Sequence, residues 1–317
     1  MNKIPSVNLA DFISTDSSKK QQFIANIGEA FEEIGFVALS GHFLEPELVN
    51  SLYSEVKNFF ELPEKTKKKY EIEGGGGQRG YTSFGKESAK GKKEGDLKEF
   101  WHFGQYVEDN DELEAFYPKN IQVEEVPNFN NTGKEAFQQL EKTASYVLRA
   151  LAIHIGIDEF YFDQFIHNGN SILRPIHYPP IVDKPKGAER AAAHGDINLI
   201  TLLMGAQGKG LQVQNHHGDW IDAVAQPNQL MINVGDMLSR LTNNKLKSTI
   251  HRVTNPPEEL WGTSRYSIPF FMHPVANMKL NCLEECISEK TPKAYTDITA
   301  GEFLTERLIE LGLIKNG

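Results

Sequence analysis

The period of the apolar residues divides the chain into two halves. In the first half, apolar residues recur every three to four positions, which is typical of amphipathic helices. This pattern predicts helices that begin near Ser18 and Pro46, and a longer helix over about residues 134–155. Proline suits the first turn of a helix, because the backbone N–H that it lacks has no partner there. The first half is therefore predicted to be rich in helix.

From Ser171 onward the apolar period changes to two, which indicates β-strands. The segments separated by turn residues are "ILRPIHYPP", "INLITLLM", "LQVQNHHGDWIDA", "QLMINVGD", "KSTIHRVTNP" and "RYSIPFFMHP". Because no long helices lie between these strands, the pattern favours an antiparallel sandwich or barrel such as a jelly roll. A last amphipathic helix is predicted in "GEFLTERLIELGLI". The predicted fold class is α+β, with a jelly-roll core and flanking helices.

Composition restricts the class of protein. The 317 residues are 39% hydrophobic and 24% charged, with a formal net charge of −10 and a pI near 5.5. An acidic chain without a long basic run is poorly suited to nucleic acid or anionic membranes. No apolar run reaches membrane-spanning length and no signal peptide precedes the first helix, so a cytoplasmic location is expected. Cys282 and Cys286 are the only cysteines, and they are expected to be reduced structural thiols.

A glycine run resembles a dinucleotide-binding motif by spacing alone. Gly75, Gly77 and Gly80 satisfy G-x-G-x-x-G, but that motif requires a buried strand before it and a helix after it. Here a lysine-rich segment precedes the glycines and turn-like sequence follows them. Residues 73–96 are instead predicted to form a long mobile loop, either an active-site lid or simple surface disorder.

Two polar residues stand at the start of the apolar segment "AAAHGDINLITLLM", residues 191–204. Residues two apart on a strand point to the same face, so His194 and Asp196 are predicted to project together. A third candidate, His251, lies in a later predicted strand, "STIHRVTNP". Two imidazoles and one carboxylate are the ligand set of non-haem Fe(II) centres that keep positions open for O₂ and a co-substrate. The alternative is a surface aspartate and ordinary core histidines.

A second constellation lies in "RYSIPFF", where Arg265 and Ser267 share a strand face. A buried arginine needs an anionic partner, and a guanidinium with a nearby hydroxyl is well suited to bind a carboxylate. Tyr178, in "HYPP", is a candidate for a further hydrogen bond.

Aromatic residues near these positions leave two interpretations open. Trp101 and Phe103 either line a substrate pocket or pack in the core. Phe270 and Phe271 alternate along one predicted strand, so at most one of them is expected to face the barrel interior.

Taken together, these motifs resemble the isopenicillin N synthase-like branch of the Fe(II)- and 2-oxoglutarate-dependent dioxygenases. The resemblance covers H-x-D, the later histidine, R-x-S, "YPP", "GLQVQ", "QLMINVGDMLSRLTNN" and the N-terminal "IPSVNLADF" and "GFVALSGH", which is nearly the whole chain. It implies a double-stranded β-helix, with a helix-rich region at 1–125 and a jelly-roll core at 126–317 forming one catalytic unit.

The resemblance also implies roles for the candidate residues. His194, Asp196 and His251 would be the iron ligands. Arg265 and Ser267 would hold the distal carboxylate of 2-oxoglutarate, with Tyr178 as a further partner. The expected reaction is oxidation of a small molecule with O₂, by hydroxylation, desaturation or cyclisation, with release of succinate and CO₂. The protein is expected to be a monomer.

Three points stay open at the level of sequence. Many relatives have an asparagine two residues before the tyrosine, where this chain has Ile176, so a polar contact at that place is in doubt. An oxidase of the same fold that uses no 2-oxoglutarate is an alternative, because a carboxylate clamp does not reveal which carboxylate it holds. A non-catalytic jelly roll or a zinc site with the same three ligands is a further alternative.

Overall fold

The computed structural model describes residues 3–72, 78–86, 96–107, 117–182, 189–204 and 210–310. The α-helices are α1 Leu9–Ile13, α2 Ser17–Glu33, α3 Pro46–Phe60, α4 Glu64–Lys67, α5 Phe129–Ile155, α6 Asp163–Ile166, α7 Asp236–Leu241 and α8 Ala300–Glu310. Short 3-10 helices span Lys68–Tyr70, Glu258–Leu260 and Glu284–Cys286.

Thirteen strands are assigned within the described residues. They are β1 Ser6–Asn8, β2 Phe36–Ser40, β3 Gly80–Thr82, β4 Glu99–Gly104, β5 Ile172–Leu173, β6 Ile176–Tyr178, β7 Ala191–His194, β8 Ile200–Met204, β9 Leu211–Gln214, β10 Trp220–Asp222, β11 Leu230–Val234, β12 His251–Val253 and β13 Arg265–Met272.

The strands form two sheets. The larger sheet has the order β1-β2-β11-β8-β13-β5-β4-β3, and β6 pairs with both β13 and β4. The smaller sheet has the order β10-β9-β12-β7. Phe36 and Met231 of the larger sheet share an apolar cluster with Val213 of the smaller one, so the two sheets pack face to face. Apart from the parallel pair β1–β2, the pairings are antiparallel. The predicted jelly-roll core with flanking helices is confirmed.

The four predicted helices correspond to α2, α3, α5 and α8, although the end of the last one, residues 311–314, lies outside the described residues. One of the four begins earlier than predicted. Helix α5 begins at Phe129 rather than near Lys134, and Phe129 is fully buried. The intervening Asn, Thr and Gly are weak helix formers, which hides this first turn in the sequence. At the other end, Gly156 adopts a left-handed conformation with φ of 97°, which ends the helix at little steric cost.

The predicted loop over residues 73–96 is corrected in part. Its described portion contains β3, which pairs in antiparallel register with β4. Gly80 is the first residue of β3 and has a φ of 71°. Gly75, Gly77 and the rest of the predicted loop lie outside the described residues.

The first 125 residues contribute strands to the same sheet as the rest of the chain. β2 pairs with β11, and β4 pairs with β5 and β6. The larger sheet is thus completed by both parts of the sequence, while the boundary at residue 125 stays a prediction.

Cys282 and Cys286 are free and buried. Among the described helices, none is long and apolar enough to span a membrane.

Candidate active site

The three predicted metal ligands meet where the smaller sheet faces the larger one. His194 ends β7 and His251 begins β12, and the two residues are directly paired across these strands. Asp196 lies in the loop after β7, so the prediction that it shares a strand face with His194 is wrong. The turn nevertheless brings its carboxylate to the same place, since one donor atom from each residue lies within 4.8 Å of the others.

Hydrogen bonds fix the orientation of both imidazoles. Nδ1 of His194 lies 2.7 Å from the carbonyl oxygen of Ala192, and Nδ1 of His251 lies 3.2 Å from that of Thr249. A carbonyl only accepts, so each Nδ1 carries the proton and each Nε2 keeps its lone pair. The Nε2 atoms lie 3.9 and 3.7 Å from Oδ1 of Asp196, separations that bonds of about 2.0–2.2 Å to one ion can bridge.

The carboxylate of Asp196 is held through its other oxygen. Oδ2 accepts hydrogen bonds from Thr201 Oγ1 at 2.6 Å and from Asn233 Nδ2 at 2.7 Å, which leaves Oδ1 turned toward the imidazoles. Burial by itself raises the pKa of Asp196, but the neighbouring His251 and His194 and these two hydrogen bonds outweigh it and hold the pKa below its ordinary value. The carboxyl group is therefore ionised at neutral pH, which is the form that can bind a metal ion.

The predicted carboxylate clamp lies on strands β6 and β13. Arg265 is paired with Tyr178 across these strands, and its guanidinium carbon lies 5.0 Å from the centre of the Tyr178 ring. Arg265 is 3% exposed, and its Nε and one terminal nitrogen have no hydrogen-bond partner. Ser267 lies two residues along the same strand and is also buried. An enclosed guanidinium with unsatisfied N–H groups is a binding site for an anion.

At the position where many relatives have an asparagine, this chain has the apolar residue Ile176. Ile176 packs with Phe100 and Tyr178 in a small cluster. Its partner across the ladder is Ser267. Ile176 therefore offers the clamp an apolar contact instead of an amide.

A cavity of about 700 Å³ lies beside the triad. His194 and Asp196 form part of its wall, while Arg265 and Ser267 do not line it. Two residues of the triad therefore border this cavity, and the predicted clamp does not. The side chains that face the cavity include Phe100, His102, Arg174, Phe271 and His273.

The cavity wall combines aromatic surface with polar groups. The guanidinium of Arg174 lies 4.5 Å from the ring centre of Phe100 and 5.2 Å from that of Phe271, and its Nε donates to His102 Nε2. His273 is buried and its Nδ1 has no hydrogen-bond partner. Burial lowers the pKa of His273 to about 4, so this imidazole is neutral at pH 7 and can orient a bound molecule by hydrogen bonds.

His194, which also lines the cavity, has a lowered pKa like His273. Burial among protein atoms and the nearby His251 lower the pKa of His194 to about 4. Its side chain is 42% exposed, because one side of the ring faces the cavity. A neutral imidazole is the form that binds a metal ion.

The alternation along two strands separates core residues from cavity residues. Trp101 and Phe103 are fully buried in the main core, which decides between their two interpretations in favour of core packing. Their neighbours Phe100 and His102 face the cavity. On β13, Phe270 packs edge-on against Phe137 of α5 while Phe271 lines the cavity, so only one of the pair faces inward, as predicted.

Sequence reasoning missed several residues of the site, and most of them carried a signal. Asn233 is a polar residue within the apolar run "QLMINV", and a buried polar group in such a run is informative. His273 continues the alternating face that begins with Arg265 and Ser267. His102 is a polar residue that stands between the aromatic residues Trp101 and Phe103 in the sequence. No such signal marked Thr201, since threonine is common in strands.

Comparison with known proteins agrees with this geometry. Residues 4–125 match the model of the N-terminal region of the non-haem dioxygenase in morphine synthesis, and residues 169–274 match the 2OG-Fe(II) oxygenase superfamily. A solved 2OG-Fe(II) oxygenase family protein from Caulobacter crescentus is 40% identical, with a TM-score of 0.89 over 98% of this chain and 100% of that chain.

Two fungal relatives are similar over most of their length. A full-length Neurospora crassa protein, solved in complex with alpha-KG and thymine, is 29% identical, with a TM-score of 0.84 over 96% of each chain. A 2-oxoglutarate-Fe(II) type oxidoreductase of Emericella nidulans is 28% identical over 95% of this chain and 88% of its own length. The chain belongs to the 2OG-Fe(II) oxygenase superfamily, in its isopenicillin N synthase-like branch. It is an Fe(II)- and 2-oxoglutarate-dependent dioxygenase that oxidises a small molecule.

Proposed function

We propose that His194, Asp196 and His251 bind the Fe(II) ion, and that Arg265, Ser267 and Tyr178 hold the distal carboxylate of 2-oxoglutarate. The observation that carries this proposal is that two sets of atoms lack bonding partners: the donor atoms of the triad and the N–H groups of Arg265. Three donor atoms converge without a proton between them, and the buried guanidinium of Arg265 has unsatisfied N–H groups. An anionic co-substrate that also binds iron satisfies both at once.

The side chains divide the work between positioning and protection. Thr201 and Asn233 hold Asp196 in its ligating rotamer, and the carbonyls of Ala192 and Thr249 fix the two imidazoles. When bound, Fe(II) supplies the site at which O₂ and 2-oxoglutarate react to give succinate, CO₂ and oxidising power for the substrate. The enclosing walls restrict water, which favours oxidation of the bound substrate over side reactions.

We also propose that the substrate binds in the 700 Å³ cavity as a small ring compound that accepts hydrogen bonds. Phe100 and Phe271 supply aromatic surface, and the neutral imidazole of His273 supplies a polar group in the same wall. The Neurospora crassa relative, whose structure contains thymine, supports a planar ring of this size. Succinate release in the presence of thymine, other pyrimidines and small aromatic acids, each above the substrate-free rate, tests this class of substrate.

The iron and co-substrate sites are tested by anaerobic titration of the Fe(II)-loaded protein with 2-oxoglutarate. We expect a saturable visible absorption band from the chelated 2-oxo acid. Asp196→Ala is expected to abolish the band, because iron binding loses a charged ligand. Arg265→Ala is expected to bind iron normally and to raise the dissociation constant of 2-oxoglutarate at least about tenfold, since a charge-assisted hydrogen bond contributes about 1.5–3 kcal/mol.

The outcomes of this titration separate the alternatives. Iron binding without a band would favour a 2-oxoglutarate-independent oxidase, in which Arg265 holds another anion. Failure to bind iron would contradict the metal-site proposal. A band of wild-type strength in Arg265→Ala would contradict the clamp alone.

We further propose that the enzyme acts as a monomer in the cytoplasm. Two free, buried cysteines suit a reducing compartment. Large apolar side chains that are exposed among the described residues come from separate segments of the chain, and scattered residues of this kind are usual on a monomer. They are Ile13, Ile72, Phe84, Phe160, Val182, Val224, Ile250 and Leu260. Light scattering after gel filtration tests the monomer, and localisation of a tagged chain tests the compartment.

A further inference from the structure

A second buried arginine, Arg190, lies near the same tyrosine ring as Arg265. Arg190 directly precedes β7, which ends at His194. Arg190 lies in a bend before the strand, four residues from the proposed iron ligand His194.

The contacts of Arg190 place it beside the proposed clamp. Its guanidinium carbon lies 5.8 Å from the centre of the Tyr178 ring, the same ring that Arg265 approaches to 5.0 Å. One terminal nitrogen donates to the carbonyl oxygen of Thr263 at 3.2 Å. Its Nε is buried and has no hydrogen-bond partner. Arg190 is 4% exposed, so its guanidinium lies away from bulk solvent.

The two arginines form a pair of like charges that no carboxylate of the described residues compensates. Neither Arg190 nor Arg265 has an ion pair with any residue in the described part of the chain. Burial, followed by the neighbouring charge of Arg265, lowers the pKa of Arg190 below its ordinary value. Two buried cations that share one aromatic ring and lack a carboxylate are unfavourable by themselves. Such an arrangement is stabilised when an anion enters between them.

We propose that Arg190 is a second binding residue for the distal carboxylate of 2-oxoglutarate, and that it makes the site selective for 2-oxo diacids over 2-oxo monoacids. The inference rests on the proposed role of Arg265 and extends it. Arg265 alone is sufficient to neutralise one carboxylate. A second guanidinium adds hydrogen-bond donors and charge that only a distal carboxylate can use, because a methyl group at that position gains nothing from them.

The test compares two ligands of equal chain length on the Fe(II)-loaded protein without O₂. 2-Oxoglutarate carries the distal carboxylate, and 2-oxopentanoate has a methyl group in its place. In Arg190→Gln, the dissociation constant of 2-oxoglutarate is expected to rise about 10- to 100-fold, as for loss of a charge-assisted hydrogen bond. The dissociation constant of 2-oxopentanoate is expected to change less than about threefold. Arg190→Lys, which keeps the charge but loses the planar fork, is expected to recover part of the affinity.

A matched control is available on the same sheet. Arg252 lies on β12, where it donates to Gln212 and stacks 4.0 Å from the ring centre of Trp220. Arg252→Gln removes an arginine stacked on an aromatic ring and is expected to leave both dissociation constants unchanged. Thermal unfolding of the ligand-free variants verifies folding. Arg190→Gln is expected to unfold no earlier than wild type, because it removes a repulsion from Arg265. If Arg190→Gln does not fold, the dissociation constants of Arg190→Lys are compared with those of the wild type instead.

The possible outcomes distinguish this inference from the proposed function. If Arg265→Gln weakens 2-oxoglutarate binding while Arg190→Gln does not, the clamp stands and the role of Arg190 is refuted. If Arg190→Gln weakens both ligands equally, its effect is general and the selectivity claim is also refuted. If neither variant changes 2-oxoglutarate binding, the proposed clamp fails together with the inference.

Discussion

At the scale of single residues, each side chain of the triad is held by hydrogen bonds to one atom, and a different atom is available to bind a metal. Asp196 is held through Oδ2, and the two imidazoles are held through Nδ1. Hydrogen bonds of this kind orient the ligands of a metal site and raise its affinity. The geometry of the site therefore depends on residues that do not touch the metal.

Asn233 provides the test at this scale. Asn233→Leu keeps the number and branching of the side-chain heavy atoms but removes the hydrogen bond to Asp196 Oδ2. We expect the affinity for Fe(II) to fall about 10- to 100-fold, the usual cost of losing such a partner. Anaerobic titration with Fe(II), followed by competition with a chelator, measures the change.

The control for Asn233→Leu is another buried asparagine. Asn130 accepts from the amide of Val123 and donates to the carbonyl of Ile121, away from the triad. Asn130→Leu is expected to lower stability without changing the affinity for Fe(II). An unchanged affinity in Asn233→Leu would mean that Thr201 alone is enough to hold Asp196.

At the scale of elements, helix α5 supports the strand that carries part of the cavity wall. A Cβ atom on Gly133 of α5 would lie 2.4 Å from the ring of Phe103 on β4. The neighbours of Phe103 on the other face of β4 line the cavity. The absence of a side chain at Gly133 thus allows the helix to approach the sheet closely and sets the position of that wall.

Gly133→Ala tests this close approach. The added methyl group must displace the Phe103 ring, and overpacking in a tight core costs about 1–3 kcal/mol. We expect the free energy of unfolding to fall by this amount in urea titrations. Gly262→Ala is the control, since a Cβ there meets nothing within 4 Å. Equal stability of the two variants would show that α5 adjusts without cost.

At the scale of the whole molecule, stability is expected to depend on pH through buried histidines. The pKa of His273 is lowered to about 4, chiefly by burial, against about 6.5 in an unfolded chain. Between these pH values the unfolded chain binds more protons than the folded one. The free energy of unfolding of the metal-free protein therefore falls as the pH falls from about 6.5 to about 4.

His273→Asn isolates this contribution. The variant lacks the titrating group, so its loss of stability between about pH 6.5 and 4 is expected to be shallower by up to about 1.4 kcal/mol per pH unit. Part of the dependence remains, because the pKa of His194 is lowered as well. His216→Asn, at an exposed turn, is expected to leave the slope unchanged. Parallel slopes for wild type and His273→Asn would contradict the prediction.

The local pattern of the sequence was enough to predict the four longest helices, most strands after residue 171 and the main site motifs, but it did not predict β3 and β4. The reason is that burial of one face imposes a period of 3.6 on a helix and of two on a strand. The motif residues stood out because polar groups interrupt these apolar patterns. The strand face shared by Arg265 and Ser267 follows directly from such alternation.

The tertiary structure decided what local periodicity cannot express. Asp196 lies beyond the strand, and only a turn held by Thr201 and Asn233 returns its carboxylate to the histidines. The pairing of β7 with β12 and of β6 with β13 joins residues that are far apart in sequence. Arg190 became informative only when its burial beside Arg265 was known, because a missing counter-ion is a property of a packed environment and not of the order of residues.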